Sequence, residues 1–536
     1  MDSIAEQLPD IFNVAAYFLE SNLTQERSEK AAFYHQGDIY TYAQVNRLVR
    51  RTARLLSELG LERENRVAIL LPDTPEFVFA FWGAIWLGAV PVPINTACTI
   101  DDIQYILQDS RAKLLLTTQE WQEKLTPISS QFLRHVLLVD GENPFTSLLT
   151  QQDEQLSHAE TSGDEPAFWL YTSGSTGRPK GAIHLHRSMV VCAQHYAKTT
   201  LGLHGDDITY SVAKMPFAYG LGNTLYMPMA VGAAAILSDA INAFDIINDI
   251  QQYRPTILFG IPSVYAGILA IHDIAPLDTS SLRLCVSAAE QLPKSIWQKW
   301  RETYNQEICE GIGTTEFLHI FLSNRVGECK PGSSGRPVPG YDVRIIDENG
   351  FPCPPGEIGD LQVSGESLML GYWNRLRETR KAIYGNAMRT GDKYLCDGDG
   401  YFWFMGRKDD LFKVNGQWIS PLEIEDILHQ HPEILEVAVV PDSDQGEQLT
   451  QIVAYVSLTP GHKPSLQLED NIRKFAKQKL PHFKAPKVIH FVEKLPRTST
   501  GKIHRKSLSR LLVDVMDKGW VVNDQLSVVS NLGVLK

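Results

Sequence analysis

Residues 171–181 read Tyr-Thr-Ser-Gly-Ser-Thr-Gly-Arg-Pro-Lys-Gly. Thr172, Ser173, Ser175 and Thr176 offer hydroxyl donors, the backbone around Gly174 offers N–H groups, and Lys180 adds a cation. Glycine lets such a backbone approach a polyphosphate closely, which larger residues would prevent. The apolar Ala167-Phe-Trp-Leu-Tyr171 just before it reads as a short buried strand, so the loop is anchored to a sheet. It is not a Walker A loop. Neither Lys180 nor Lys502 has the upstream glycine at the G-x-x-x-x-G-K-[ST] spacing, and G-x-G-x-x-G is absent. Ser211-Val-Ala-Lys214 spells the S-x-x-K of β-lactamases, but two fixed residues arise easily by chance and no Lys-Thr-Gly or Ser-Asp-Asn accompanies it. No G-x-S-x-G elbow supports a serine hydrolase.

Five further polar segments follow in order: Glu310-Gly-Ile-Gly-Thr-Thr-Glu316, Gly356-Glu-Ile-Gly-Asp-Leu361, Arg389-Thr-Gly-Asp392, Gly406-Arg-Lys-Asp-Asp-Leu-Phe-Lys413 and Pro496-Arg-Thr-Ser-Thr-Gly-Lys502. Together with the 172–181 loop they resemble, in order and spacing over about residues 10–510, the acyl-adenylate-forming superfamily. That group holds acyl- and aryl-CoA ligases, adenylation domains of peptide synthetases and firefly luciferase. A narrower resemblance, to benzoate-type aryl-CoA ligases (benzoate or anthranilate), rests on Phe12-Asn-Val-Ala15, Pro72-Asp-Thr-Pro-Glu-Phe77, Phe217-Ala-Tyr-Gly-Leu-Gly-Asn223 and Gly313-Thr-Thr-Glu-Phe-Leu-His-Ile-Phe-Leu-Ser-Asn324.

The resemblance implies a two-step reaction. A carboxylate attacks the α-phosphorus of ATP to give acyl-AMP and pyrophosphate, and a thiol then displaces AMP. The first step crowds negative charge around one phosphorus, so positioned cations and donors carry the catalysis. By resemblance the loop from Thr172 to Lys180 cradles the β- and γ-phosphates. Thr315 and Glu316 join the catalytic set, and Glu316 helps hold Mg²⁺, a hard ion suited to carboxylate and phosphate oxygens. Asp392 takes both ribose hydroxyls, since one carboxylate accepts two donors, and Arg407 lies at the ribose. Ala288, Ala289 and Glu290 border the adenine, with Glu310, Ile312, Gly313 and Thr314 on the same nucleotide. Ile312 stands where many relatives carry an aromatic ring, which replaces stacking with apolar packing.

Lys502 is the expected catalytic lysine of adenylation, a compact charge on a long stem. For the second step, relatives rotate a small domain about a hinge that maps to Asp409. That rotation withdraws Lys502 and brings Lys413 and Gly416 towards a pantetheine channel. The acyl pocket is expected from Ala218, Tyr219, Gly220, Gly260, Ile312 and His319. Peptide-synthetase domains usually place an Asp beside the substrate ammonium, and the matching position here is Ala218. A buried ammonium without a counter-charge is costly, so a standard α-amino acid is disfavoured. Tyr219 and its neighbouring glycines suit a single ring, such as benzoate, anthranilate or a hydroxybenzoate, better than a long chain. His319 reads equally as a substrate contact or as a core histidine satisfied by backbone.

Alternating apolar and polar stretches supply the elements that position these residues. Arg66–Leu71, Val90–Ile94, Leu114–Thr117, Val136–Val139, Thr256–Phe259 and Leu284–Ser287 read as strands, with Asp239–Arg254 helical. Strand–helix alternation implies parallel sheets. After Arg389 the chain turns dense in Gly, Asp and Lys. Beyond it follow a helix near 421–431, strands near 437–440, 452–456 and 488–492, a helix near 466–480 and a last helix from about Lys506 to Met516. The expected fold is α/β: an N-terminal adenylation domain of parallel-rich sheets over 1–408, and a small mobile α+β C-terminal domain over 409–536.

The chain has 536 residues, enough for two or more domains, with 43% apolar and 21% charged. Its net charge of −13 argues against nucleic-acid binding. Residues 409–536 hold 16 basic and 16 acidic residues, so the whole excess lies in 1–408. Seven scattered cysteines without zinc spacing, and an N-terminus without a signal pattern, point to a cytoplasmic enzyme. Phe77–Ile94 is uncharged for 18 residues, but Pro91 and Pro93 make it a buried helix and strand rather than a membrane span. ATP, Mg²⁺ and coenzyme A are the implied cofactors and co-substrates, with a homodimer admitted. No carrier domain follows before Lys536. The rival reading is an aryl-acid adenylating enzyme that loads a separate carrier protein.

Overall fold

The computed structural model describes residues 3–407 except 25, 129 and 173–177. Later it describes 412–414, 417–442, 451–459, 461–482, 484–497 and positions 503, 505, 507, 508, 528 and 529. The uncharged run is indeed a helix, Pro75–Trp86, followed by the strand Val90–Pro93. Proline opens the helix where its missing N–H costs nothing. The helix is buried all round, which explains its lack of an amphipathic pattern. It packs on Tyr42–Glu58, a helix started by a reciprocal Thr41–Gln44 capping box. At Gly83 a Cβ would lie 2.6 Å from the Thr52 methyl, so the two helices touch where no side chain fits. Among the described residues no helix is long and apolar enough to cross a membrane.

Two sheets with parallel cores organise the N-terminal part. One is fully parallel, in the order Val90–Pro93, Arg66–Ile69, Leu114–Thr117, His135–Leu138. The other has nine strands, of which Ile308–Gly313, Leu284–Ser287, Ile257–Gly260, Ile208–Ser211, Ala234–Ile236 and Ala31–His35 are neighbours running parallel. Antiparallel strands close its two edges. Short apolar strands rich in Ile, Leu and Val are what a sheet covered on both faces requires.

Two local readings change, and a third is not tested. The helix expected over Asp239–Arg254 begins only at Ala243, because the Asn242 side chain accepts from Asp245 N–H and caps it there. Sequence reasoning placed no strands between 340 and 407, yet Asp342–Ile346, Gly359–Ser364, Ala387–Cys396 and Phe402–Arg407 form an antiparallel sheet. The Gly- and Asp-dense composition there belongs to tight connections. Asp397 accepts from Asp399 and Tyr401 N–H and ties the turn between the last two strands. The helix expected over Lys506–Met516 lies almost wholly outside the described residues.

The C-terminal unit pairs Ile434–Asp442 antiparallel with Gln451–Leu458, which runs parallel to Val488–Val492. Helices Pro421–Leu428 and Leu466–Lys479 cover this sheet, burying Ile424, Leu428, Val437, Val456, Ile472 and Phe491.

Candidate active site

Four neighbouring parallel strands end side by side. Gly260 pairs with Ser287, Ser287 with Glu310, and Phe259 with Ser211. Beyond these carboxyl ends lie Ala218–Gly220, Gly260, Ala288–Glu290 and Gly313–Glu316, which the sequence scatters over about a hundred residues. Carboxyl ends of parallel strands are where α/β sheets bind ligands.

The aryl side of this edge is built from rings. Tyr219 stands on the short helix Ala218–Leu221, its hydroxyl 3.4 Å from Gly260 O and 3.5 Å from Val286 O. Its ring meets Phe259 edge-on at 6.1 Å and His319 at 5.7 Å, and His319 in turn meets Tyr196 at 5.1 Å. His319 is 2% exposed, and neither ring nitrogen makes a hydrogen bond. Burial drives its pKa down to about 3, against a weaker opposing pull from the Tyr219 backbone, so the imidazole is neutral at physiological pH. Ala218, Tyr219 and Ile312 are half-buried and pack against the main core, while Gly220 is buried. Gly313 has a physical necessity, since a Cβ there would sit 2.1 Å from the His319 carbonyl oxygen.

The phosphate side begins at a hairpin. Strands Pro166–Thr172 and Lys180–Leu185 pair with Thr172 opposite Lys180. Ser173, Gly174, Ser175 and Thr176 lie outside the described residues. Lys180 Nζ sits 4.6 Å over the Tyr372 ring, and the Tyr372 hydroxyl donates to Glu316 Oε1. Glu316 is 9% exposed and belongs to the short turn Thr315–Phe317. Met369 N–H donates to Glu316 O, Leu370 N–H to Ile183 O and Trp373 N–H to Gly181 O. Segment 369–373 thus stitches the hairpin to the acidic turn. Thr314 Oγ1 is buried without a partner.

The third group stands on the antiparallel hairpin. Asp392 and Arg407 are cross-strand partners, with Arg407 Nε 3.3 Å from Asp392 Oδ1; Asp392 is 5% exposed and Arg407 about half-exposed. Tyr394 anchors this hairpin through its hydroxyl contact with Ser334, 3.1 Å. Asn324 Nδ2 donates to both Ser333 O and Glu310 O, which ties the hairpin's support to the Glu310 strand. Glu310 is buried and its pKa rises to about 8, chiefly through burial and slightly through Asp426; Leu292 N–H, donating to Oε1, opposes this. Ala288 is buried, whereas Ala289 and Glu290 are exposed, and Ala289 holds a φ of +73°.

Lys502, Asp409 and Gly416 lie outside the described residues, as does the Lys413 side chain, whose backbone pairs with Trp418. Arg497 and Ile503, on either side of Lys502, form an antiparallel bridge.

Sequence reasoning missed Tyr372 and Asn324 as parts of this site. Tyr372 gives no signal beyond its Gly-Tyr-Trp setting, and Asn324 none beyond its place at the end of the 313–324 segment. Each matters through partners 56 and 14 residues away, respectively.

Residues 19–373 match the AMP-binding enzyme family, and residues 423–502 match its C-terminal domain. The chain belongs to this family. Among curated members it is 39% identical to a benzoate–CoA ligase of Thauera aromatica, over 94% of this chain and 97% of that protein. It is 32% identical to an anthranilate–CoA ligase of Pseudomonas aeruginosa, over 90% and 94%. Among solved members, the anthranilate CoA ligase AuaEII with anthranoyl-AMP superposes with a TM-score of 0.91 at 37% identity, covering 95% of this chain and 99% of that one. A benzoate CoA ligase from Burkholderia xenovorans gives 0.85 at 37% identity, covering 93% and 100%.

Proposed function

We infer that this protein is an ATP-dependent, AMP-forming aryl-CoA ligase acting on a benzoate-type acid. The observation that carries the reading is the meeting, near four strand ends, of the rings of Tyr219, Phe259 and His319 with a Lys180–Tyr372–Glu316 cluster. Full-length similarity to benzoate– and anthranilate–CoA ligases supports it.

The aryl carboxylate attacks the α-phosphorus of ATP. The bond from that phosphorus to the bridging oxygen breaks, pyrophosphate leaves and aryl-AMP remains. The sulfur of CoA then adds to the carbonyl, the acyl–phosphate C–O bond breaks, and AMP leaves with the thioester as product. Lys180 and the loop from Thr172 hold the outer phosphates. Asp392 accepts from the ribose hydroxyls, and Arg407 fixes its carboxylate. Lys502 neutralises charge at the junction of acid and phosphate, and the hinge at Asp409 exchanges it for Lys413 and Gly416.

Glu316 suits magnesium. Mg²⁺ is usually held by one or two carboxylates plus substrate phosphates, and Glu316 is a buried carboxylate already oriented by a tyrosine. Among the described residues no group of three or more His, Cys, Asp or Glu forms a protein-only metal cage, which fits an ion held largely by ATP. When bound, the ion neutralises phosphate charge.

Ala218 leaves an α-ammonium without a counter-charge, which disfavours a standard α-amino acid. A ring amine or hydroxyl needs one partner, and Tyr219, the His319 ring or Thr314 Oγ1 supplies it. Seven unpaired cysteines accord with a reducing, cytoplasmic setting.

The test is thioester formation with ATP and CoA, followed by mass spectrometry over benzoate, anthranilate, hydroxybenzoates and short fatty acids. Aryl-CoA is the expected product. Aryl-AMP and pyrophosphate without thioester would instead make the acceptor a carrier protein, and fatty acyl-CoA alone would overturn the aryl assignment.

A further inference from the structure

Two segments that the sequence singles out have no part in the chemistry above: Pro72–Phe77 and Ser211–Lys214. The fold brings them together next to the short helix that carries Tyr219. Asp73 leads into the helix Pro75–Trp86, far in sequence from the aryl residues, and is 2% exposed. Its Oδ1 accepts the backbone N–H of Met215 at 3.0 Å, across 142 residues. Lys214, the neighbour of Met215, donates from Nζ to Ser238 O at 2.7 Å and to Ala240 O at 3.1 Å. Ser238 is itself fixed, since its hydroxyl donates to Asp249 Oδ2 at 2.6 Å, where the Tyr210 hydroxyl also donates at 2.7 Å.

The turn held from both sides leads straight into Ala218–Leu221. Phe217 N–H donates to Lys214 O, and Leu221 N–H donates to Phe217 O. At Gly220 a Cβ would lie 2.2 Å from Lys214 O and 2.4 Å from Ala213 O. The turn therefore presses on the helix that carries Tyr219, and nothing soft lies between them. A shift of the turn becomes a shift of Tyr219, because packed interiors transmit displacement rather than absorb it.

We propose that Asp73 and Lys214 are positioning residues that set the height of Tyr219 over the aryl ring, and so govern affinity for the acid without touching it. The proposal rests on the aryl-ligase reading. A buried carboxylate and a half-buried ammonium holding one turn from opposite sides cost more than apolar side chains would, which accords with a demand for placement rather than stability alone.

The test measures KM for benzoate and for ATP separately, together with binding of benzoyl sulfamoyladenosine by calorimetry. Variants are Asp73→Ala, Asp73→Asn and Lys214→Met. Asp73→Ala removes the acceptor of the Met215 N–H and is expected to raise KM for benzoate roughly tenfold, with KM for ATP within about twofold. Asp73→Asn keeps an acceptor oxygen and is expected to restore most of that loss. Lys214→Met keeps the apolar stem and is expected to behave like Asp73→Ala, which covers the case where the alanine variant does not fold.

A parallel rise in both KM values, or a drop in melting temperature with unchanged KM, would make the pair merely structural and overturn the proposal. A wild-type chain that binds the benzoyl analogue while all three variants match it overturns the proposal alone. A wild-type chain that does not bind the analogue takes down the aryl reading and the proposal with it.

Discussion

Lys502 has the most exacting role proposed for a single side chain, because adenylation needs a cation at one phosphorus and thioester formation does not. Lys502→Ala should abolish aryl-AMP formation, yet leave thioester formation from supplied aryl-AMP and CoA near the wild-type rate. Separate assays of the two half-reactions check this. Tyr372→Phe tests the contact that sequence did not reveal. Losing the hydroxyl strips Glu316 Oε1 of its donor, at a cost of about 1–3 kcal/mol for an unsatisfied buried acceptor. KM for ATP should rise several-fold while KM for benzoate holds, by steady-state kinetics.

Glu310 makes a pH prediction. Its carboxyl rises from 4.5 to about 8, so the native state keeps a proton that the unfolded chain releases above about pH 4.5. The stability it contributes is full below that value and is lost as pH climbs through about 8. Glu310→Gln cannot ionise, so its melting temperature relative to wild type should increase between pH 5 and pH 8, as read by calorimetry. Thr172, Lys180, Glu316 and Asp392 stand out in the sequence because they lie in runs of hydroxyls, glycines and charges that resemble the family's motifs. Tyr372 and Asn324 do not, because an ordinary tyrosine or asparagine gains its role from distant partners.

At the level of elements, the parallel strands that the sequence suggested lie within a residue or two of where it put them, whereas Ala31–His35, Ile208–Ser211, Ala234–Ile236 and Ile308–Gly313 were not anticipated. Strands covered on both faces are continuous apolar runs, and Leu284–Ser287 and Val488–Val492 fall where the pattern puts them. The antiparallel sheet from 342 to 407 was not readable. One face of it is wet, its strand Asp342–Ile346 alternates exposed and buried, and Gly391 and Gly406 interrupt the period inside the hairpin. Spacing between elements also limits substitution. At Gly222 a Cβ would lie 2.4 Å from His319 Cδ2. Gly222→Ala should therefore push the imidazole into the recess and destabilise the fold by about 1–3 kcal/mol. It should also raise KM for benzoate more than KM for ATP, with thermal unfolding and kinetics as the paired readouts.

For the whole molecule, the consequential contact is between the helix Pro421–Leu428 and the strand Phe402–Arg407. On that side Asp426 faces Lys294, and burial raises its pKa to about 6 despite the lysine. The C-terminal unit thus leans on the same region that holds Glu310 and Asp392. The proposed turn of the C-terminal domain between half-reactions would need freedom at its connection. Fixing φ with Asp409→Pro should slow thioester formation while adenylate formation continues, giving aryl-AMP accumulation in a quenched time course. Two domains and their order were legible from the change in texture after Arg389. Their mutual contacts were not, because they are made through side chains ordinary in themselves, and those of Asp426 with Lys294 and Glu310 join residues more than a hundred positions apart.

The most direct measurement is a rapid-quench time course with enzyme in excess over benzoate, ATP present and CoA added second, with every nucleotide and acyl species resolved by mass spectrometry. The account predicts benzoyl-AMP and pyrophosphate first, in equal amounts, then conversion of that adenylate to benzoyl-CoA and AMP once CoA arrives. Release of ADP and phosphate, or benzoyl-CoA formed without a preceding adenylate, would contradict it.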